Sequence, residues 1–270
     1  MDQKIKVAVI GTGALGKHHA RIYAELAKEG LIECVGVYDQ NISAAKEVAN
    51  QHRIPLLQTR EEATEFAHAL SVVTPTITHF SIASGLLEKG KHLLVEKPMT
   101  DNTEQAKHLV ELACKKNCVL QIGHVERFNP VFTYLNASAK EPKFIETHRL
   151  SPYPARSTDI GVVLDLMIHD LDIVLAFVKS SVVQVDSAGV SVLSKSADIA
   201  NARLKFANGC VANLTVSRIS PERMRKIRVF SGGKEASYIS LDYQKQEGFI
   251  YRVASGGETP SSFWTQLLAS

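Results

Sequence analysis

Over roughly the first 120 residues, short runs of Val, Ile and Leu alternate with stretches in which apolar residues recur every three or four positions. The runs at 5–10, 32–38, 70–73, 92–95 and 119–122 read as strands, and 14–29, 43–51, 61–69, 78–89 and 103–116 read as amphipathic helices. Strands that are apolar at every position are covered on both faces. The pattern therefore predicts a parallel sheet with helices on each side. Asp101 or Asn102 supplies a helix start ahead of Thr103 and Glu104.

After His124 the rhythm changes. Residues 128–139 read as a helix, 143–149 as a strand, and 160–178 as a helix apolar around most of its circumference. From 182 to about 253 the chain turns to β-branched and alternating strands, with Asn208–Gly209 and Gly232–Gly233 as turn signals. The prediction is an α/β protein with two domains. Residues 1–123 form a Rossmann dinucleotide-binding domain. Residues 124–270 form an α+β domain with an open, mainly antiparallel sheet, which binds substrate and carries self-association. The outer face of that sheet has apolar strands and no covering layer, which predicts a homodimer or homotetramer.

The helix at 160–178 also carries Asp165, His169 and Asp172 at i, i+4 and i+7, one above another on a face. Their neighbours Val162, Val163, Leu164, Leu166, Met167, Ile168, Leu171, Ile173, Val174 and Leu175 are apolar. Ionisable groups in such surroundings are costly unless paired or open to a cleft. They are either a buried network joining two layers or the floor of a chemical site.

Composition narrows the class. The 270 residues are 45% hydrophobic and 22% charged, with a net charge of +3 spread along the chain. That balance gives no reason to expect nucleic acid or a membrane surface as partner. The chain opens MDQKIKVAVIGTG, too short an apolar run for a signal core, and no stretch approaches the roughly 18 apolar residues of a membrane span. A cytosolic protein is expected. Cys34 and Cys210 lie in strand-like runs and read as small core residues, while Cys114 and Cys118 lack a second ligand pair, so no metal is expected.

Gly11-Thr12-Gly13-Ala14-Leu15-Gly16 follows the strand KVAVI and opens a helix. A dinucleotide site needs that arrangement: a tight turn, close backbone approach to the pyrophosphate, close helix–strand packing, and free N–H groups at a helix start. Asp39 ends the second strand, where a carboxylate accepts from ribose hydroxyls and repels a 2′-phosphate. Gln40 and Asn41 bring no compensating positive charge, which favours NAD over NADP. Thr74-Pro75 closes the third strand with His79 on the following helix, either a strand stop with a helix cap or a ligand-facing loop. Glu96-Lys97-Pro98 closes the fourth, where the proline suits a cis bond. Lys97 is then either surface loop or a cation that lowers the pKa of a substrate hydroxyl. Thr74, Pro75, His79, Glu96 and Lys97 complete the candidate cofactor set. At the junction, His124, Arg127 and Asn129 sit in a dense polar cluster. Arg127 reads as a substrate contact or a junction salt bridge.

In order and spacing, GxGxxG, TP with a downstream His, GKHLLVEKP and DLMIHDLD resemble the Gfo/Idh/MocA family of nucleotide-dependent sugar and inositol oxidoreductases over nearly the whole chain. The resemblance implies that Lys97, Asp165 and His169 form the catalytic set, with His169 as general acid/base, and that Asp172 matches the family's later aspartate. It implies hydride transfer between a sugar carbon and nicotinamide. His124, Arg127, Asn129, Asp172 and the catalytic set are the expected substrate contacts. More narrowly, GHVERFNP with RSTDIGVVLDLMIHDLD is similar to the branch that oxidises the 3-hydroxyl of UDP-N-acetylglucosamine. Other branches take other nucleotide sugars, free sugars, inositols or dihydrodiols, and the same groups serve reduction. A non-catalytic dinucleotide-binding regulator is the alternative of another class; it needs none of Lys97, Asp165 and His169. The family's C-terminal helix returns to the first domain, and SSFWTQLLAS, with Trp264, is long enough only to begin one.

Overall fold

The computed structural model describes residues 4–153, 160–233 and 236–252. The segment around Trp264 and residues 156–159 lie outside the described residues. The chain divides into two compact units, Met1–His124 and Val125–Ser270.

The first unit alternates β1 (Ile5–Ile10), α1 (Gly16–Lys28), β2 (Ile32–Tyr38), α2 (Ile42–His52), α3 (Arg60–Phe66), β3 (Ala69–Val72), α4 (Thr76–Glu88), β4 (His92–Val95), α5 (Thr103–Lys115) and β5 (Leu120–Ile122). Its five strands are parallel in the order β2-β1-β3-β4-β5. One further parallel bridge, Val37 to Leu56, lies outside β2. Counting it as a one-residue strand gives the order 3-2-1-4-5-6 of dinucleotide-binding folds, with the switch point between β1 and β3. Ala8, Val9, Ile10, Leu70, Val72, Leu93 and Val95 are buried in the sheet. Each large side chain so buried stabilises by about 1.5–3 kcal/mol. Side chains start the helices: Asn41, Thr59 and Asn102 accept from Ala44, Glu62 and Gln105 main-chain N–H groups. The helix expected at 61–69 ends at Phe66, because His68 N–H bonds Lys6 O and β3 begins at Ala69.

The second unit opens with a 3₁₀ turn (Val125–Phe128) and α6 (Pro130–Ser138), then β6 (Pro142–Leu150). The single helix expected at 128–139 is therefore split: Asn129 caps α6 and Pro130 occupies its first turn. A π-helical turn (Val163–Met167) runs into α7 (Ile168–Val178). There follow β7 (Val182–Val190), β8 (Ile199–Phe206), β9 (Val211–Ser217), β10 (Met224–Ser231), β11 (Ser237–Asp242) and β12 (Glu247–Arg252). The sheet order is β12-β11-β10-β6-β9-β8-β7, antiparallel except for β6 beside β9.

Strand alternation defines the two faces. Ile145, Ala202, Leu204, Leu214, Val216, Ile227, Val229 and Ile239 point inward and join Ile173, Val174 and Phe177 of α7 in one core. Across the outer face runs an aromatic row, Phe144, Phe230, Tyr238 and Tyr251, with successive ring centroids 6.0, 4.9 and 6.0 Å apart. Edge strand β7 leaves Val183, Val185 and Val190 exposed.

Candidate active site

In the first unit the loops at the carboxyl ends of the strands meet. Gly11 has φ +97°, and a Cβ there would stand 2.2 Å from Val73 O, so the Gly loop lies directly against the end of β3. A Cβ on Gly16 would stand 1.9 Å from Gly11 O, which is the close turn-to-helix packing the motif requires. Gly13, Ala14 and Leu15 are exposed, and a Cβ on Gly13 would meet nothing within 4 Å. The residues leading into the 13-residue α1 are thus exposed, and the helix dipole places partial positive charge at that end. These residues fit a dinucleotide pyrophosphate.

Asp39 fastens this loop. Its Oδ2 accepts from Thr12 N–H at 2.7 Å and from Thr12 Oγ1 at 3.1 Å, and its Oδ1 accepts from Asn41 N–H at 2.9 Å. Each oxygen keeps acceptor capacity for a ribose hydroxyl. His79 is 1% exposed, with Nδ1 2.9 Å from Pro98 O and Nε2 2.8 Å from Thr74 O. Both neighbours are carbonyl oxygens, which only accept, and the buried ring lies between the Thr74–Pro75 and Lys97–Pro98 loops as a brace. The Lys97–Pro98 bond is cis.

Glu96 is also interior, at 7% exposed. Burial pushes its carboxyl up. The bond from His19, the bond from the Lys97 N–H and the positive charge of Lys97 outweigh that and hold it below the usual carboxylate range. His124, at the end of β5, has a buried Nδ1 with no hydrogen-bond partner.

In the second unit, Ile168 N–H reaches back to Val163 O, five residues earlier, which widens the turn holding Asp165 directly before His169. Asp165, His169 and Asp172 are half-buried. The helix is not apolar-buried all round: Val163 and Leu175 are 38% and 45% exposed, and the buried stripe is Asp170, Ile173, Val174 and Phe177. The buried carboxylate is therefore Asp170, which the sequence reading passed over. Arg149 of β6, itself 3% exposed, grips it through Nε at 3.1 and 3.2 Å and Nη2 at 2.9 Å, and also reaches Glu126 at 3.2 Å. Burial pushes the Asp170 carboxyl up, and Arg149 draws it only part of the way back.

Two expected substrate contacts are bound to each other: Arg127 donates to both oxygens of Asp172 at 2.7 and 2.6 Å, leaving the guanidinium half exposed. Asn129 caps Val131 N–H and donates to Glu126 and Tyr243 O, so all its polar atoms serve the fold. Arg218 and Asp198, both fully buried, pair at 2.9 Å. Arg218 also donates to Ile160 O at 2.8 Å, which fixes the approach to the Asp165 turn. Burial would raise the Asp198 carboxyl. The Ser194 hydroxyl and three successive main-chain N–H groups hold it far below the usual range instead.

The four cysteines are free, and burial pushes the Cys210 thiol up to about 11. Among the described residues no group of three or more His, Cys, Asp or Glu is placed to hold a metal ion, and no helix is long and apolar enough to cross a membrane.

The parallel sheet, with the exposed Gly loop leading into α1 and tied to Asp39, is the architecture of a dinucleotide-binding protein. The chain belongs to the Gfo/Idh/MocA family: residues 5–124 match its oxidoreductase family, NAD-binding Rossmann fold, and residues 122–238 its C-terminal domain. It is 38% identical over 253 residues to UDP-N-acetylglucosamine 3-dehydrogenase of Acidithiobacillus ferrooxidans, covering 93% of this chain and 78% of that one. A solved structure of that enzyme superposes with a TM-score of 0.85 over 94% of this chain and 79% of the other. The NAD(+)-dependent scyllo-inositol 2-dehydrogenase of Bacillus subtilis is 26% identical over 82% of this chain and 69% of its own. Levoglucosan dehydrogenase with NADH shares the fold, with a TM-score of 0.80 at 19% identity over 96% of this chain and 81% of that chain.

Proposed function

We propose that this oxidoreductase transfers hydride between the 3-position of UDP-N-acetylglucosamine and NAD. The observation that carries the reading is the likeness to the Acidithiobacillus ferrooxidans enzyme at 38% identity across 93% of the chain, through both units. Bound NAD supplies the hydride acceptor. The protein's part is proton handling and orientation. As hydride leaves carbon, the hydroxyl proton must leave too, or positive charge builds there. His169 takes it, since an imidazole titrates near neutrality. Asp165, one turn earlier, orients that ring and favours its protonated form. Lys97 stabilises the developing alkoxide charge. Asp39 favours NAD by repelling a 2′-phosphate. The chain assembles through the exposed aromatic outer face of the second unit's sheet, where Phe230 and Phe249 are 40% and 68% exposed.

The test is a panel of UDP-sugars, free sugars and inositols assayed for NADH formation. Turnover of UDP-N-acetylglucosamine at least about tenfold faster than free N-acetylglucosamine or any inositol is expected. No turnover of any UDP-sugar would remove the substrate and leave the family.

A further inference from the structure

Two histidines hold the segment that carries Lys97, and only one touches a carboxylate. His79 bonds Pro98 O on the far side of the lysine. His19, in the first turns of α1 just past the Gly loop, reaches the near side. Its Nε2 lies 3.1 Å from Glu96 Oε1, and its Nδ1 3.1 Å from Ser71 Oγ. Ser71 Oγ in turn lies 2.8 Å from Tyr23 Oη. The other Glu96 oxygen accepts the Lys97 N–H at 3.1 Å.

The direction of these bonds follows from the ends of the chain. Glu96 is held ionised and can only accept, so His19 Nε2 carries a proton. Burial keeps the Tyr23 hydroxyl protonated, so it is available to donate to Ser71. Ser71 then donates to the free lone pair of Nδ1. A single polarised line runs from α1 through β3 to the main chain of Lys97. The carboxylate is also walled in from behind. A Cβ at Gly123 would stand 2.8 Å from Glu96 Oε1 and 2.9 Å from its Cδ. Only glycine there leaves the carboxylate room.

We propose that His19 is a positioning residue for Lys97: through Glu96 it fixes the Lys97 peptide relative to the helix that receives the cofactor phosphates. The inference rests on the reading of Lys97 as a catalytic group. It predicts a function for the imidazole's two nitrogens separately. Gln places its amide nitrogen near Nε2 and can still reach Glu96; Asn places its own near Nδ1 and reaches only Ser71.

The experiment compares His19→Gln, His19→Asn, Gly123→Ala and the His19→Asn/Gly123→Ala double variant, each as the full chain. Four quantities are read: kcat and KM with UDP-N-acetylglucosamine, NAD affinity by calorimetry, and exchange of the Lys97 amide hydrogen by NMR. His19→Asn should lower kcat by about ten- to a hundredfold, with NAD affinity within about twofold. His19→Gln should recover most of that loss. Gly123→Ala, which displaces the same carboxylate from the other side, should match His19→Asn, and the double variant should be little worse than either. Lys97 amide exchange should accelerate in the same order. Equal effects of Gln and Asn, additive losses in the double variant, or a defect confined to NAD affinity would make His19 a packing residue of α1 and overturn the proposal. If His19→Asn does not fold, Gly123→Ala carries the same test. Should the wild type turn over no UDP-sugar, the substrate reading fails, while Lys97 amide exchange still decides the role of His19.

Discussion

Two buried carboxylates each stand one residue from a proposed catalytic group, Glu96 before Lys97 and Asp170 after His169, and the two are held in opposite ways. Glu96 is met by an imidazole and a main-chain N–H, and its carboxyl is held low. Asp170 is met by a fully buried guanidinium against the β6 core, and its carboxyl is pushed up. The first anchor ties a lysine to the helix of the cofactor loop. The second ties a helix to the sheet. A buried ion pair adds little net stability when complete but leaves a costly lone charge when half is removed. A hydrogen-bonded carboxylate at the end of a strand costs less to alter and matters more for orientation. Damage to the Asp170 anchor should therefore be felt as stability, and damage to the Glu96 anchor as rate.

The largest effect is expected at Arg149. Arg149→Ala strands Asp170 among apolar neighbours and should cost about 3–5 kcal/mol of unfolding free energy in urea or thermal melts. A loss under about 1 kcal/mol would mean that Asp170 is already protonated or hydrated, and the contrast would collapse.

Next are the proposed catalytic groups themselves. His169→Ala and Lys97→Ala should each lower kcat by about a hundredfold or more, with NAD affinity nearly unchanged, and His169→Ala should flatten the acid limb of the pH–rate profile. Near-full activity of His169→Ala with an unaltered profile would make the imidazole structural.

Asp39 comes third, because its carboxylate also holds Thr12 and so couples specificity to loop geometry. Asp39→Ala should weaken NAD binding and narrow its advantage over NADP by about tenfold, or ~1.4 kcal/mol. Equal affinities for the two cofactors in the wild type would remove this argument altogether.

The smallest effect sharpens the Glu96 side. A carboxyl whose folded pKa is depressed contributes stability that is full above its unfolded value, near pH ~4.3, and fades as pH falls through the folded value. Glu96→Gln should therefore lie about 1 kcal/mol below wild type at pH 7, and the two should converge below about pH 4. A gap that widens on acidification would reverse the sign assigned to this carboxylate.

Much of the first unit was legible because its signals are local. Apolar runs marked each parallel strand, Asn102 marked the start of α5, and the Gly loop carried its own geometry. Leu56 escaped because a one-residue bridge leaves no run to read. His19 escaped because its meaning lies in Ser71 and Glu96, 52 and 77 residues away. Its one local trace is an imidazole three residues after Gly16, on the side of α1 that buries Gly16, Ala20 and Ala24. In the second unit the residues of the Asp165–Asp172 helix were found but its orientation was not. Spacing alone puts Asp165, His169 and Asp172 on one face, yet contact with β6 decides which face turns inward, and Asp170 took that place. Arg127 and Asp172 were both picked out as polar, but their mutual pairing spans 45 residues and a turn of chain that no periodicity reports.

The most direct test is isotopic. UDP-N-acetylglucosamine carrying deuterium at carbon 3 is incubated with the protein and NAD, and the reduced nicotinamide is analysed by mass spectrometry. Deuterium in the nicotinamide ring, formed by wild type and about a hundredfold more slowly by His169→Ala, is the predicted result. Reduced nicotinamide without deuterium, or none at all, would contradict hydride transfer from that carbon.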